Sequence, residues 1–310
     1  MNFLNIIIVK KFTKLVALVS IMVGFTNSPV DANTVINTPE APFPLSVNTE
    51  LQAQLEQRIE QRGLQGEVAN QRLSVTLVDI TDIEKPRLAH VNGDNTFYAA
   101  SLPKLAIMLA VFEEVHLGKL ERTEELEKSL KAMMQVSSNV EATRLYELVG
   151  PERIAEILQS ERYQLYDIET GGGLWVGKPY GKQPAWKRDP LKNASHAASG
   201  VQVARFYFMM ERNELTSPDY CIAMKDILAD SLINHKFVKG LQSKNPDAEV
   251  YRKSGTWRNY HSDSALVERP DGRKYIAVGL TQNVNGGSLL ENIIVDLDTL
   301  MDDSPLPVKQ

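Results

Sequence analysis

Apolar residues along this chain recur either every three to four positions or at every second one, and the switches between the two periods outline its elements. Leu51, Leu55 and Ile59 fall four apart from Thr49 onward and Gly63 follows, which predicts an amphipathic helix with a glycine stop. The segment from Arg72 to Ile80 is rich in Val, Leu and Thr and reads as a strand, with residues 87–91 as its neighbour beyond a turn at Lys85-Pro86. From Leu102 to Leu117 the pattern is apolar on nearly every side, the mark of a buried helix. Further helices fit 123–134, 140–149, 151–160, 200–212 and 218–231. Residues 165–195, with Gly171-Gly172-Gly173, Pro179, Pro184 and Pro190, are irregular, and loops of that length are commonly functional. Val250 to Lys253, Ala265 to Glu268 and Tyr275 to Leu280 return to strand, the last two joined at Pro270-Asp271-Gly272. Leu289, Leu290, Ile293, Ile294, Leu297 and Leu300 then mark a terminal helix.

This order predicts a mixed α+β fold in a single catalytic domain over 48–302. One antiparallel sheet, flanked by helices, is built from both ends of the chain (48–98 and 248–302), an all-helical region (99–247) is inserted between them, and 303–310 is a tail. The first residues follow a different pattern. Lys10, Lys11 and Lys14 precede an apolar run from Leu15 to Phe25, and small or polar residues lead to Val30-Asp31-Ala32, the layout of a secretory signal peptide over 1–32. Pro39, Pro42 and Pro44 mark 33–47 as a linker. Cleavage after Ala32 takes the formal charge from −5 to −7 and leaves a soluble monomer outside the cytoplasm, periplasmic or secreted, without stable membrane insertion.

Composition narrows the chemistry. An acidic balance with no basic run interleaved with aromatics argues against nucleic acid. Cys221, the one cysteine, has no partner for an intramolecular disulfide and reads as a buried residue. His90, His116, His196, His235 and His261 are scattered without metal-ligand spacing, so neither a metal nor another cofactor is expected.

Two short runs carry candidate chemistry. In Ser101-Leu102-Pro103-Lys104, a helix brings positions three apart onto one face, so Lys104 stands beside Ser101. Pro103 fits only a first turn, which puts Ser101 at a helix N-terminus where developing negative charge is favoured. A serine hydroxyl needs a base, and a lysine whose pKa is depressed by burial and neighbouring charge can serve. In Lys253-Ser254-Gly255-Thr256, at the end of a predicted strand, a small residue lets backbone approach a ligand closely. Lys253 offers fixed positive charge to an anionic group. The Thr256 N–H joins that of Ser101 as an oxyanion-hole donor.

With Ser137-Ser138-Asn139 between two predicted helices, these runs resemble the SxxK, SDN and KTG signatures of class A β-lactamases and penicillin-binding serine hydrolases, over roughly residues 45–302. The resemblance implies a β-lactamase/transpeptidase-like fold and acylation of Ser101 by a β-lactam or a cell-wall peptide. It assigns proton transfer to Lys104, Ser137 and Lys253, binding of the substrate amide to Asn139, and binding of its carboxylate to Lys253 and Thr256, with Ser254 and Gly255 at the substrate's edge. Ser138 stands where the family carries Asp, and the 36 residues from Ser101 to Ser137 are few for it. No ExxLN motif occurs between 160 and 195, so Glu169 is the candidate for the water-activating base. Arg258 is the candidate for the family's carboxylate-binding arginine. Three activities fit: β-lactam hydrolysis, D-alanyl-D-alanine carboxypeptidase action on cell-wall peptides, and a penicillin-binding sensor that acylates without turnover.

Overall fold

The structure, a computed structural model, describes residue 43 and residues 46–229 and 231–306. The expected signal peptide, most of the linker and residues 307–310 of the tail lie outside the described residues. The end of the linker is part of the fold, contrary to expectation. Phe43 is buried edge-on against Phe208, and Val47 forms a bridge with Leu88.

The chain opens with helices α1 (Thr49–Gln61) and α2 (Gln65–Ala69), then strands β1 (Leu73–Asp79), β2 (Arg87–Val91) and β3 (Phe97–Tyr98). Helices α3 (Lys104–His116), α4 (Glu124–Gln135), α5 (Asn139–Val149) and α6 (Pro151–Gln159) follow. The irregular stretch carries four short strands, β4 (Tyr166–Asp167), β5 (Gly172–Gly173), β6 (Trp175–Val176) and β7 (His196–Ala198). Then come α7 (Gly200–Glu211), α8 (Pro218–Ala229), α9 (Phe237–Lys244), strands β8 (Glu249–Trp257), β9 (Tyr260–Glu268) and β10 (Lys274–Gln282), and α10 (Gly286–Leu300).

The main sheet is antiparallel in the order β2-β1-β10-β9-β8, so the two ends of the chain meet at the β1–β10 pair, as the sequence pattern predicts. Alternation along the strands divides its core in two. Val75, Leu77, Ala265, Val267 and Ala277 face α1, α9 and α10, whereas Val78, Leu266, Ile276 and Val278 face the helical region. Helix α3 is buried on all sides at the centre of that region, and Cys221 is buried in α8. At α7, any Cβ on Gly200 would lie 2.3 Å from Thr76 Oγ1, so this glycine lets the helix start against the sheet.

Two boundaries near the site differ from the sequence reading, and one helix is additional to it. Strand β8 runs on to Trp257, so Lys253-Ser254-Gly255-Thr256 lies inside it rather than at its end. Pairing with β9 explains the extension, since Lys253 is opposite Ser264 and Gly255 opposite Ser262. Helix α3 begins at Lys104, and a tight turn with Lys104 N–H donating to Ser101 O (3.3 Å) carries Ser101 ahead of it. Helix α9 has no expectation behind it, and the connection that precedes it is held by a buried ion pair.

In that pair the Arg252 guanidinium grips both carboxylate oxygens of Asp263 (3.0 and 2.8 Å) and also donates to Ile233 O, His235 O and Ser231 Oγ. Asp263 in turn accepts the Phe237 N–H. Both side chains are buried, and removing one partner of such a pair strands the other charge. Asp263→Ala is therefore expected to lower the unfolding free energy by about 3–5 kcal/mol, read as a fall in the urea midpoint; a midpoint within error of the parent contradicts this role.

Candidate active site

Three distant segments deliver the polar centre. The turn before α3 carries Ser101 and α3 carries Lys104, the α4–α5 turn carries Ser137 and Asn139, and β8 carries Lys253. Close approach of backbone makes the assembly possible. A Cβ built on Gly255 would lie 2.3 Å from Ala99 O, 2.6 Å from Ser101 N and 2.7 Å from Ser262 Oγ, so only glycine lets β8 press against the serine turn. The turn is fastened from the other strand as well, because Ser262 Oγ donates to Ala99 O (2.8 Å).

Both lysines are fully buried, and their amines converge on one hydroxyl. Lys104 Nζ donates to Ser137 O (2.6 Å), Asn139 Oδ1 (2.8 Å) and Ser137 Oγ (3.3 Å). Lys253 Nζ donates to Ser137 Oγ (2.9 Å) and Ser254 O (2.8 Å). Since Asn139 turns its oxygen to Lys104, its NH₂ group is left for another partner. Burial lowers the Lys104 pKa to about 7, and burial together with Lys104 and Arg252 holds Lys253 well below its ordinary value. Ala100 and Ser137 both have positive φ (50° and 57°), a left-handed conformation costing a non-glycine residue on the order of 1 kcal/mol. Two of the nine such residues among the described ones thus lie beside Ser101 and at the shared hydroxyl.

Above this centre lies a cleft of about 660 Å³ lined by Ser101, Asn139, Thr256, Tyr98, Tyr180 and Tyr260 among others. Lys104, Ser137 and Lys253 sit beneath it. The Tyr180 ring covers the Lys104 amine at 4.6 Å from its centroid and packs on His196 at 4.2 Å. Burial holds the Tyr180 phenol well above its ordinary pKa. His196, lowered to about 3 by burial, is neutral; its Nε2 donates to Lys178 O and its Nδ1 accepts from Ser195 Oγ.

Some expectations meet in the site and others do not. Ser101, Lys104, Ser137, Asn139, Lys253 and Thr256 come together. Ser254 and Gly255 are buried in β8 and do not line the cleft; Gly255 acts through the space it leaves. Glu169 does not reach the cleft. Pairing of β4 with β5 makes 168–171 the tip of a hairpin, and Glu169 is exposed there with its N–H donating to Asp167 Oδ1. Arg258 is also displaced, because it occupies the β8–β9 turn at φ 54° and lies over the outer Trp257 ring. Trp175 is buried against Tyr166 and pins the loop by donating to Lys187 O, while Lys178 and Tyr180 line the cleft. Ser138, where the family carries Asp, caps α5 by accepting the Glu141 N–H.

Sequence reasoning missed Lys236. Buried at φ 53° just before α9, it donates to Gly255 O (2.7 Å), Thr256 Oγ1 (2.9 Å) and Ser262 O (3.0 Å), and burial lowers its pKa to about 8. It puts a cation at Thr256, where Arg258 was expected to supply one. No spacing marks it; the one signal is a lysine set between His235 and the apolar Phe237-Val238.

A family model described as the Beta-lactamase enzyme family matches residues 54–132 and 125–298. The chain belongs to that family and is a serine hydrolase acting on amide bonds. Among solved structures, PBP-A superposes with a TM-score of 0.64 at 18% identity over 83% of this chain and 97% of PBP-A. A β-lactamase from Sphaerobacter thermophilus gives 0.62 at 17% identity over 84% of this chain and all of that one. A representative of class A β-lactamase from Bacteroides cellulosilyticus gives 0.60 at 17% over 83% of this chain and all of that one. At these identities the likeness concerns the fold. No curated protein matches the sequence.

Gly255→Ala is expected to reduce acylation by a β-lactam about a hundredfold, because the methyl group forces β8 away from the serine turn. Intact-mass spectrometry on protein with unchanged circular dichroism is the check; acylation within a few-fold of the parent contradicts the close-approach account.

Proposed function

We propose that the protein forms an acyl-enzyme at Ser101 with β-lactams and with cell-wall peptides, and that it releases the acyl group slowly, as a penicillin-binding enzyme does. The convergence of two buried amines on the Ser137 hydroxyl carries this reading. With a pKa of about 7, much of Lys104 is unprotonated at neutral pH and accepts the Ser101 proton. The serine oxygen then bonds to the amide carbon while the N–H groups of Ser101 and Thr256 hold the oxyanion. The C–N bond breaks, and Ser137 gives its proton to the departing nitrogen and is reprotonated from the amines that donate to it. The Asn139 NH₂ group receives the acyl-side carbonyl. Thr256, to whose hydroxyl Lys236 donates, receives the substrate carboxylate together with Lys253.

Slow release is favoured by what covers Lys104. Tyr180 fills that side with a ring whose phenol stays protonated, and among the described residues no Asp or Glu lines the cleft to activate water. One observation favours the second reading, rapid β-lactam hydrolysis: a lysine near neutrality, freed of the proton after acylation, is itself a base for water.

We also propose export through the leader over residues 1–32, with the mature chain beginning after Ala32. Among the described residues no helix is long and apolar enough to cross a membrane.

Incubation with a chromogenic cephalosporin separates the readings. A burst of about one equivalent followed by slow turnover, with a matching adduct absent in Ser101→Ala, is expected. Sustained rapid turnover overturns slow release in favour of a β-lactamase, and no adduct with any β-lactam or D-alanyl peptide overturns both.

The acylation rate is expected to rise with pH through about 7, because the deprotonated form of Lys104 is the active one. A stopped-flow profile that is flat from pH 5.5 to 8.5 contradicts Lys104 as the base.

A further inference from the structure

The loop over residues 177–193 reverses the charge of the chain. It carries Lys178, Lys182, Lys187, Arg188 and Lys192 against one carboxylate, Asp189, in a protein of formal charge −5. That carboxylate is not available to neutralise them. Asp189 is buried, accepting the Tyr166 hydroxyl on one oxygen and the Lys192 backbone N–H on the other. Among the described residues none of the five cations has an ion-pair partner, while elsewhere Lys225, Lys274, Arg212 and Arg269 are each paired with carboxylates.

The loop is also held in place. Gly177 N–H donates to Ser195 O, Lys187 N–H to Gly177 O and Asp189 N–H to Ala194 O, and Trp175 ties Lys187 O to the core. A Cβ on Gly177 would fall 1.9 Å from Lys187 O, so the strap closes tightly on itself. It thereby sets Lys178, Lys182, Arg188 and Lys192 on the wall of the same cleft that Ser101 lines, with no Asp or Glu among the described lining residues. This wall is on the Tyr180 side, which covers Lys104, whereas Lys236 and Thr256 mark the other flank.

We propose that the loop forms an anion subsite, so that the preferred amide substrates carry a second negative group on the acyl side, in addition to the carboxylate received at Thr256. A cleft lined by charge of one sign concentrates such ligands and orients them. The proposal rests on the acylation reading given above and deepens it by naming the substrate as an anionic acyl donor, an acidic peptide rather than a neutral one.

Carbenicillin and benzylpenicillin differ by a single carboxylate on the acyl side chain and form the probe pair. The acylation rate constants are measured for the parent and for a variant combining Lys182→Glu and Lys192→Glu, with Lys182→Gln and Lys192→Gln as a milder control. The carbenicillin-to-benzylpenicillin ratio is expected to fall about tenfold in the charge-reversed variant, in line with two exposed ion pairs, and to fall with added salt in the parent. Acylation by benzylpenicillin, which carries only the carboxylate received at Thr256, falls less than that by carbenicillin. A ratio unchanged by both variants and by salt overturns the subsite. Equilibrium binding of the two penicillins to Ser101→Ala reads the same ratio without chemistry. An unreactive Ser101 would thus defeat the acylation reading, while the binding ratio still decides the subsite.

Discussion

Two amines from segments far apart in the sequence share one hydroxyl, and the site depends on that arrangement. Lys104 on α3 and Lys253 on β8 both donate to Ser137 Oγ, which the α4–α5 turn holds in a left-handed conformation. Among the described residues neither amine has a carboxylate in contact with it. Their solvation comes from carbonyl and amide oxygens and from hydroxyls, which satisfy an ammonium group without neutralising it. These contacts favour the ammonium form, so it is burial that makes the amine give up its proton, as a base for a serine hydroxyl must.

Such a site is built against stability. With Lys104 at about 7 in the folded protein and near 10.5 when exposed, the unfolded chain holds the proton more tightly throughout that interval. Folding then releases a proton, so this lysine's contribution to stability improves as pH rises through the window and is least favourable below it. Lys236, at about 8, acts in the same sense. The fully compensated Arg252–Asp263 pair and a core packed on both faces of the sheet hold these groups in position. Lys236 belongs to this framework as much as to the site, since its three hydrogen bonds tie the α9 connection to Gly255, Thr256 and Ser262.

Much of the fold was legible in the sequence because periodicity reports burial. The all-apolar run over 102–117, the alternating segments near each end and the glycine after Ile59 correspond to α3, the sheet and the end of α1. The serine and lysine runs pointed to their own convergence, since their residue types and order match one known chemistry. What escaped depends on contacts remote in sequence. Glu169 had the right residue type and neighbourhood, but β4–β5 pairing turned it outward. Arg258 lay close to the third run, yet a two-residue hairpin turn aimed it at solvent, and Lys236 entered from a helix the pattern did not reveal. The role of Gly255 was only half readable: a small residue was expected near the ligand, whereas its space is taken by the serine turn itself.

The state of the buried amine is the central physical claim, and it is accessible without substrate. A carbon-13 titration of the lysine Cε resonances, with Lys104 assigned by its loss in Lys104→Met, measures it directly. The account predicts a midpoint at about 7 for that resonance. A midpoint near the ordinary 10.5 would leave Lys104 fully charged at neutral pH and contradict its role as the base for Ser101.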